Sequence, residues 1–184
     1  MRTHRLLLAV SIFAGVWALL ALPGQAIPVL QIDIEGGSYD PSDSNTLLNE
    51  STLINSDQFT VDAIFTPGGN VSIPADTYYL IVGFADQNGD SVTSIGTGQV
   101  LVDGAALSAF YQGTPVGLPN YGPYPTYYAL VQFNFEPAIR ITSYDAQMEP
   151  GDPVLNPSGQ SLMMQFDIDR SGLSSDYLVT FDLV

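Results

Sequence analysis

Residues 118–135 read LPNYGPYPTYYALVQFNF, and a change of rhythm inside them decides the fold. In the first half, Pro119, Pro123 and Pro125 each fix φ and push the residue before them towards an extended backbone. No helix runs through such a segment. From Tyr127 onward the pattern is strict alternation. Tyr127, Ala129, Val131, Phe133 and Phe135 fall on one face, and Tyr128, Leu130, Gln132, Asn134 and Glu136 on the other. A period of two with one apolar side is a half-buried strand. The stretch therefore reads as a rigid, tyrosine-rich loop feeding a strand of the core.

The same rhythm recurs on either side. Leu30, Ile32 and Ile34 alternate with Gln31, Asp33 and Glu35, and Gly36-Gly37 ends the run. Residues 40–57 are polar and turn-rich, with a short apolar pulse at Leu47 and Leu48. Phe59, Val61, Ala63 and Phe65 alternate with Thr60, Asp62, Ile64 and Thr66. Tyr78 to Phe84, YYLIVGF, is continuously apolar, as expected of a central strand covered on both faces. Residues 99–102 read as a strand running into Asp103-Gly104, and residues 106–111 and 138–144 as two more. Leu162, Met164, Phe166 and Ile168 alternate with Met163, Gln165, Asp167 and Asp169; Tyr177, Val179, Phe181 and Leu183 close the series.

About eight short strands separated by turn signals, with no amphipathic helix, predict an all-β fold. A two-sheet antiparallel β-sandwich fits better than a barrel, whose strands would be more even in length. Jelly-roll and immunoglobulin-like strand orders both remain open.

Residues 1–26 stand apart from this pattern. Arg2, His4 and Arg5 make a positive start, residues 6–22 are an uncharged apolar run, and Pro23 breaks it before Gly24-Gln25-Ala26. That is the layout of a secretory signal peptide cleaved after Ala26, leaving residues 27–184 as one sandwich domain. Without the leader the chain keeps two arginines, Arg140 and Arg170, against nineteen acids, a formal net charge of −17. Such a surface has no basic footprint for nucleic acid, and nothing after the leader is built to enter a membrane. The chain is 46% hydrophobic, too apolar for a disordered acidic segment. It contains no Cys, so it folds without disulfides although export would permit them.

The chemistry that remains is narrow. Residues 27–184 hold no His, Cys or Lys, the usual acid–base and nucleophilic side chains. A serine triad has no base, and a zinc site would have carboxylates alone. The reading is a protein that is not an enzyme. Hard-oxygen chemistry is the exception. Asp86, Asn88 and Asp90 place oxygens at alternating positions and are candidate Ca²⁺ ligands. Gly89 stands fourth in that segment, not sixth as in an EF-hand, and Asn88-Gly89 is by itself a hairpin turn signal. The turn is the plainer reading, so Ca²⁺ is a candidate cofactor and no other is implied. Asp167 and Asp169 share a strand face, which reads more simply as a solvated outer surface. Tyr121, Tyr124, Tyr127 and Tyr128 are candidate ligand-binding rings, because flat aromatic faces stack on sugars. The plainer alternative is that they cap the end of the core.

Four segments together carry a family resemblance: LQIDIEGGSYD (residues 30–40), YGPYPTYYALVQFNF (121–135), YDAQ (144–147) and MQFDIDRSGLSSDYLVTFDL (164–183). In these the chain resembles the bacterial choice-of-anchor N proteins, most specifically in the PTYY block followed by an alternating strand. The resemblance implies an exported surface protein, often sorted by a PEP-CTERM-type signal, with no known catalytic activity. Two departures stand out. The family block carries a His ahead of its Gly, whereas here Asn120-Tyr121 precede Gly122. No apolar helix or basic tail follows the last strand, so the sequence reads either as a released member or as a C-terminally truncated one.

The expectation is thus a secreted or surface-displayed structural or interaction module. The competing reading is a carbohydrate-binding module that uses the tyrosine-rich loop, with or without Ca²⁺. The corresponding partners are other surface proteins or extracellular polysaccharide.

Overall fold

The computed structural model describes residues 30–40, 51–67, 77–86, 92, 94–113, 127–146, 148, 151 and 153–184. Among these the regular elements are all strands: β1 (Leu30–Ile34), β2 (Ser38–Asp40), β3 (Ser51–Leu53), β4 (Gln58–Phe65), β5 (Tyr78–Asp86), β6 (Leu101–Val102), β7 (Ala105–Ala106), β8 (Phe110–Gln112), β9 (Tyr127–Phe133), β10 (Ile139–Ile141), β11 (Ser161–Asp169) and β12 (Tyr177–Leu183). They form two antiparallel sheets packed as a sandwich. The first runs β1-β4-β11-β6-β7, with β10 also on β11; the second runs β12-β5-β9-β8; β2 and β3 pair separately. The chain passes from one sheet to the other between β4 and β5, β5 and β6, β7 and β8, β9 and β10, and β11 and β12. Such repeated crossing sets this order apart from sheets made of sequential hairpins.

The alternation read from β9 determines which side of the second sheet is core. Phe133 and Phe135 are buried, while Gln132, Asn134 and Glu136 are exposed. Their inward partners are Leu80, Val82 and Phe84 from β5, Val61, Ala63 and Phe65 from β4, and Leu162, Phe166 and Ile168 from β11. Rings stitch the two sheets together. Phe133 meets Phe166 at 5.1 Å, Phe59 meets Phe181 at 5.8 Å, and Phe65 lies 5.6 Å from Phe135. Each such pair adds about 0.5–1.5 kcal/mol beyond its buried area. β5 is buried on both faces, as its unbroken apolar sequence predicts.

Several expectations need correction. Residues 51–53, inside the stretch 40–57 read as polar and turn-rich, pair with Ser38–Asp40 as β3 and β2, because local backbone pairing needs no apolar alternation. Residues 106–111 are not one strand. Ala105–Ala106 pairs with β6, whereas Phe110–Gln112 pairs with β9 in the other sheet. Residues 138–144 pair only at Ile139–Ile141, and the chain then leaves the sheet edge, with Thr142 N–H donating to Val154 C=O at 3.0 Å. Gln99 lies outside β6, in a turn closed by its own N–H on Gly96 C=O.

The largest departure concerns β1. Its alternation holds, yet the polar side is the deeper one: Gln31 and Asp33 are buried while Leu30, Ile32 and Ile34 are half-buried. On β4 both faces are covered, and Asp62 and Ile64 lie as deep as Val61 and Ala63. The outer face of the first sheet carries a second small core, made of Ile64, Met163, Ile141, Tyr144 and Ala146.

Candidate functional site

Two places on the sandwich depart from an ordinary surface. The first is the outer face of the second sheet. Strand pairing sets its rows: Val184, Tyr79 and Gln132; Asp182, Ile81 and Leu130; Thr180, Gly83, Tyr128 and Tyr111. A sandwich normally shows polar residues there. Here Ile81 is 2% exposed and Tyr128 only 7%. Thr77, Tyr79, Tyr128, Leu130 and Val184 line a hollow of about 330 Å³ with mostly apolar walls. Tyr111 stacks on Tyr128 with ring centres 5.5 Å apart and planes 27° from parallel, and it remains 47% exposed. The pair follows from register, since Tyr111 and Tyr128 are direct cross-strand partners.

The second place is the outer face of the first sheet, where Asp33 and Asp62 are direct cross-strand partners on β1 and β4. They are 0% and 1% exposed. Asp33 accepts from the Tyr144 hydroxyl, from Gly151 N–H at 2.8 Å and from Ile34 N–H at 2.8 Å. Beside it Gln31 donates from Nε2 to Tyr144 C=O and accepts at Oε1 from Ala146 N–H, both at 2.9 Å. Asp62 accepts from Gln165 Nε2 at 3.1 Å. Gly151 fits because its φ is +95°, a left-handed backbone that residues with a Cβ rarely adopt. Burial pushes the Asp62 carboxyl up to about 6; the Gln165 hydrogen bond opposes this, and the charges of Asp33 and Glu35 add to it.

The residues singled out from the sequence are dispersed. Tyr127 and Tyr128 point to opposite faces of β9. Tyr127 faces the core, stacked on Phe110 at 5.2 Å, while Tyr128 lines the outer hollow. Tyr121 and Tyr124 lie outside the described residues, as do Asn88 and Asp90. Asp86 ends β5 opposite Tyr177. Among the described residues no group of three His, Cys, Asp or Glu side chains is placed to hold a metal. Asp167 accepts from Thr60 Oγ1 on an exposed surface. Asp169 accepts from Ser171 N–H and Gln58 Nε2, and these bonds, Ser171 foremost, hold its carboxyl below the usual range.

Sequence reasoning missed Tyr79, Tyr111, Asp33 and Asp62. Tyr79 and Tyr111 carried a usable signal, an aromatic on the outward phase of a strand. No protein-family model matches the chain, and neither a curated protein nor a solved structure matches it.

Proposed function

We propose that the chain is an exported, non-catalytic interaction module that makes its contacts through the outer face of the second sheet. The observation that carries this is the tyrosine-edged hollow between Tyr79, Tyr128 and Leu130, on a face where a free-standing sandwich presents polar side chains. The leader-like residues 1–26 support export, and the lack of His, Cys and Lys in residues 27–184 supports a binding rather than a catalytic role. The resemblance to choice-of-anchor N proteins points the same way.

Polysaccharide is the second reading, favoured by one observation. The Tyr111 ring stands exposed on top of Tyr128, the arrangement a sugar ring stacks on. A glycan array probed with the whole chain and with Tyr111→Ala tests it. Sugar binding that falls about 30-fold or more in Tyr111→Ala, at unchanged melting temperature, is the expected result for an aromatic anchor. Binding that ignores both Tyr111→Ala and Tyr79→Ala removes this face from the proposal. An array with no hit removes polysaccharide and leaves a protein partner.

A further inference from the structure

We propose that Asp62 is a proton-linked latch: with a proton on Asp62, Tyr144, Ala146 and Gly151 are held down on the first sheet, and loss of that proton loosens them.

The geometry comes first. Asp33 and Asp62 face each other across β1 and β4 with their side chains out of water. Two carboxylates at such a distance cannot both ionise cheaply in a buried site. Among the described residues no arginine is placed to offset them: Arg140 donates to Gly159 C=O, and Arg170 is engaged with Asp57 and Tyr177 C=O. The two acids are also unequally served. Asp33 accepts from three donors, and two of them, the Tyr144 hydroxyl and Gly151 N–H, fasten the residues that cover it. Asp62 accepts from the neutral Gln165 amide. Asp62 is therefore the member that keeps the proton.

The charged or titratable groups around it are Asp33 on β1 and Glu35 just after it, Asp167 one row away on β11, and Tyr144 and Asp145 beside Ala146; Glu149 and Asp152 lie outside the described residues. None of these is a cation, so an ionised Asp62 has the Gln165 hydrogen bond to set against its burial and the charges of Asp33 and Glu35. Its repulsion acts on Asp33, the acceptor for Tyr144 and Gly151.

The direction of the pH effect is set by the folded and unfolded values. Asp62 titrates at about 6 in the folded protein against an ordinary 3.8. Between those values the closed state holds a proton that an opened state gives up. The contribution is fully present below 3.8 and is lost as pH rises through about 6.

Amide hydrogen exchange at Ala146 and Gly151 reads the latch directly, because their N–H groups bond to Gln31 and Asp33. After correction for intrinsic exchange, opening of these amides should increase about tenfold between pH 5 and pH 7 in the wild type. It should stay flat in Asp62→Asn, whose amide oxygen still accepts from Gln165. Parallel profiles in the two proteins overturn the proposal. Carboxyl-carbon NMR of Asp62 in the wild type decides independently of any variant. A midpoint near 6 supports the latch, and a midpoint near 3.8 overturns it.

Discussion

Phe133 and Gln132 are neighbours on β9 with opposite environments, one 9% exposed under the Phe166 ring and the other in water. Phe133→Ala should cost about 3–5 kcal/mol through lost burial and the cavity left behind. Gln132→Ala should change stability by less than about 0.5 kcal/mol. Urea melts of both variants check this, and equal losses would mean that the strand phase is misassigned. This contrast is legible in the sequence because one side of β9 simply faces the other sheet. The same logic fails at Asp33. Alternation says which residues share a side, but not whether that side meets water. Tyr144 and Gly151 roof Asp33 from more than a hundred residues away, and nothing local to β1 announces them. Tyr127 and Tyr128 show the reverse case. Phase alone separates them, yet adjacency in a tyrosine-rich run invites reading them as one surface.

At the scale of elements, turn chemistry is easier to read than strand partners. Asp103 and Gly104 both have positive φ, 52° and 74°, and join Val102 to its cross-strand partner Ala105. That is the two-residue hairpin loop an Asp-Gly pair favours. The hairpin is tied to its neighbour by Asp103 N–H on Asp167 C=O and by Asp167 N–H on Asp103 Oδ1, both at 2.8 Å. Gly104→Ala should destabilise by about 1–2 kcal/mol, the cost of left-handed backbone for an L-residue. The added methyl meets no atom within 4 Å, so the loss isolates the backbone term. Thermal melts that show no loss would mean the turn has relaxed to another type. The strand partners beyond this turn are not legible. Ala105–Ala106 stays with the first sheet while Phe110–Gln112 joins the second, and the sequence between them carries no mark of a change of sheet. The Tyr111–Tyr128 and Phe110–Tyr127 stacks, which are tertiary, show why Phe110–Gln112 belongs beside β9.

For the whole molecule, charge is the property the sequence states without ambiguity and the fold must accommodate. Residues 27–184 carry nineteen acids and two arginines. Of those arginines, Arg170 makes one ion pair, 3.6 Å to an exposed Asp57, and otherwise bonds to Tyr177 C=O. Ion pairs of this exposed kind are worth at most about 1 kcal/mol, so they leave most of the repulsion in place. Salt should therefore stabilise the protein by screening. Calcium separates screening from a site. If Asp86, Asn88 and Asp90 held Ca²⁺, stability would rise by RT ln(1 + [L]/Kd), about 2.7 kcal/mol at a hundred times Kd. Mg²⁺ would not match it, because it demands a tighter octahedral cage. The Asn88-Gly89 turn signal favours screening. The expected outcome is that millimolar Ca²⁺ and Mg²⁺ raise the melting temperature alike, in the wild type and in the Asp86→Asn, Asp90→Asn double variant. A gain specific to Ca²⁺ that disappears in the double variant would reverse this conclusion. It would place a cation site at the end of β5, on the strand whose outer face also lines the tyrosine-edged hollow.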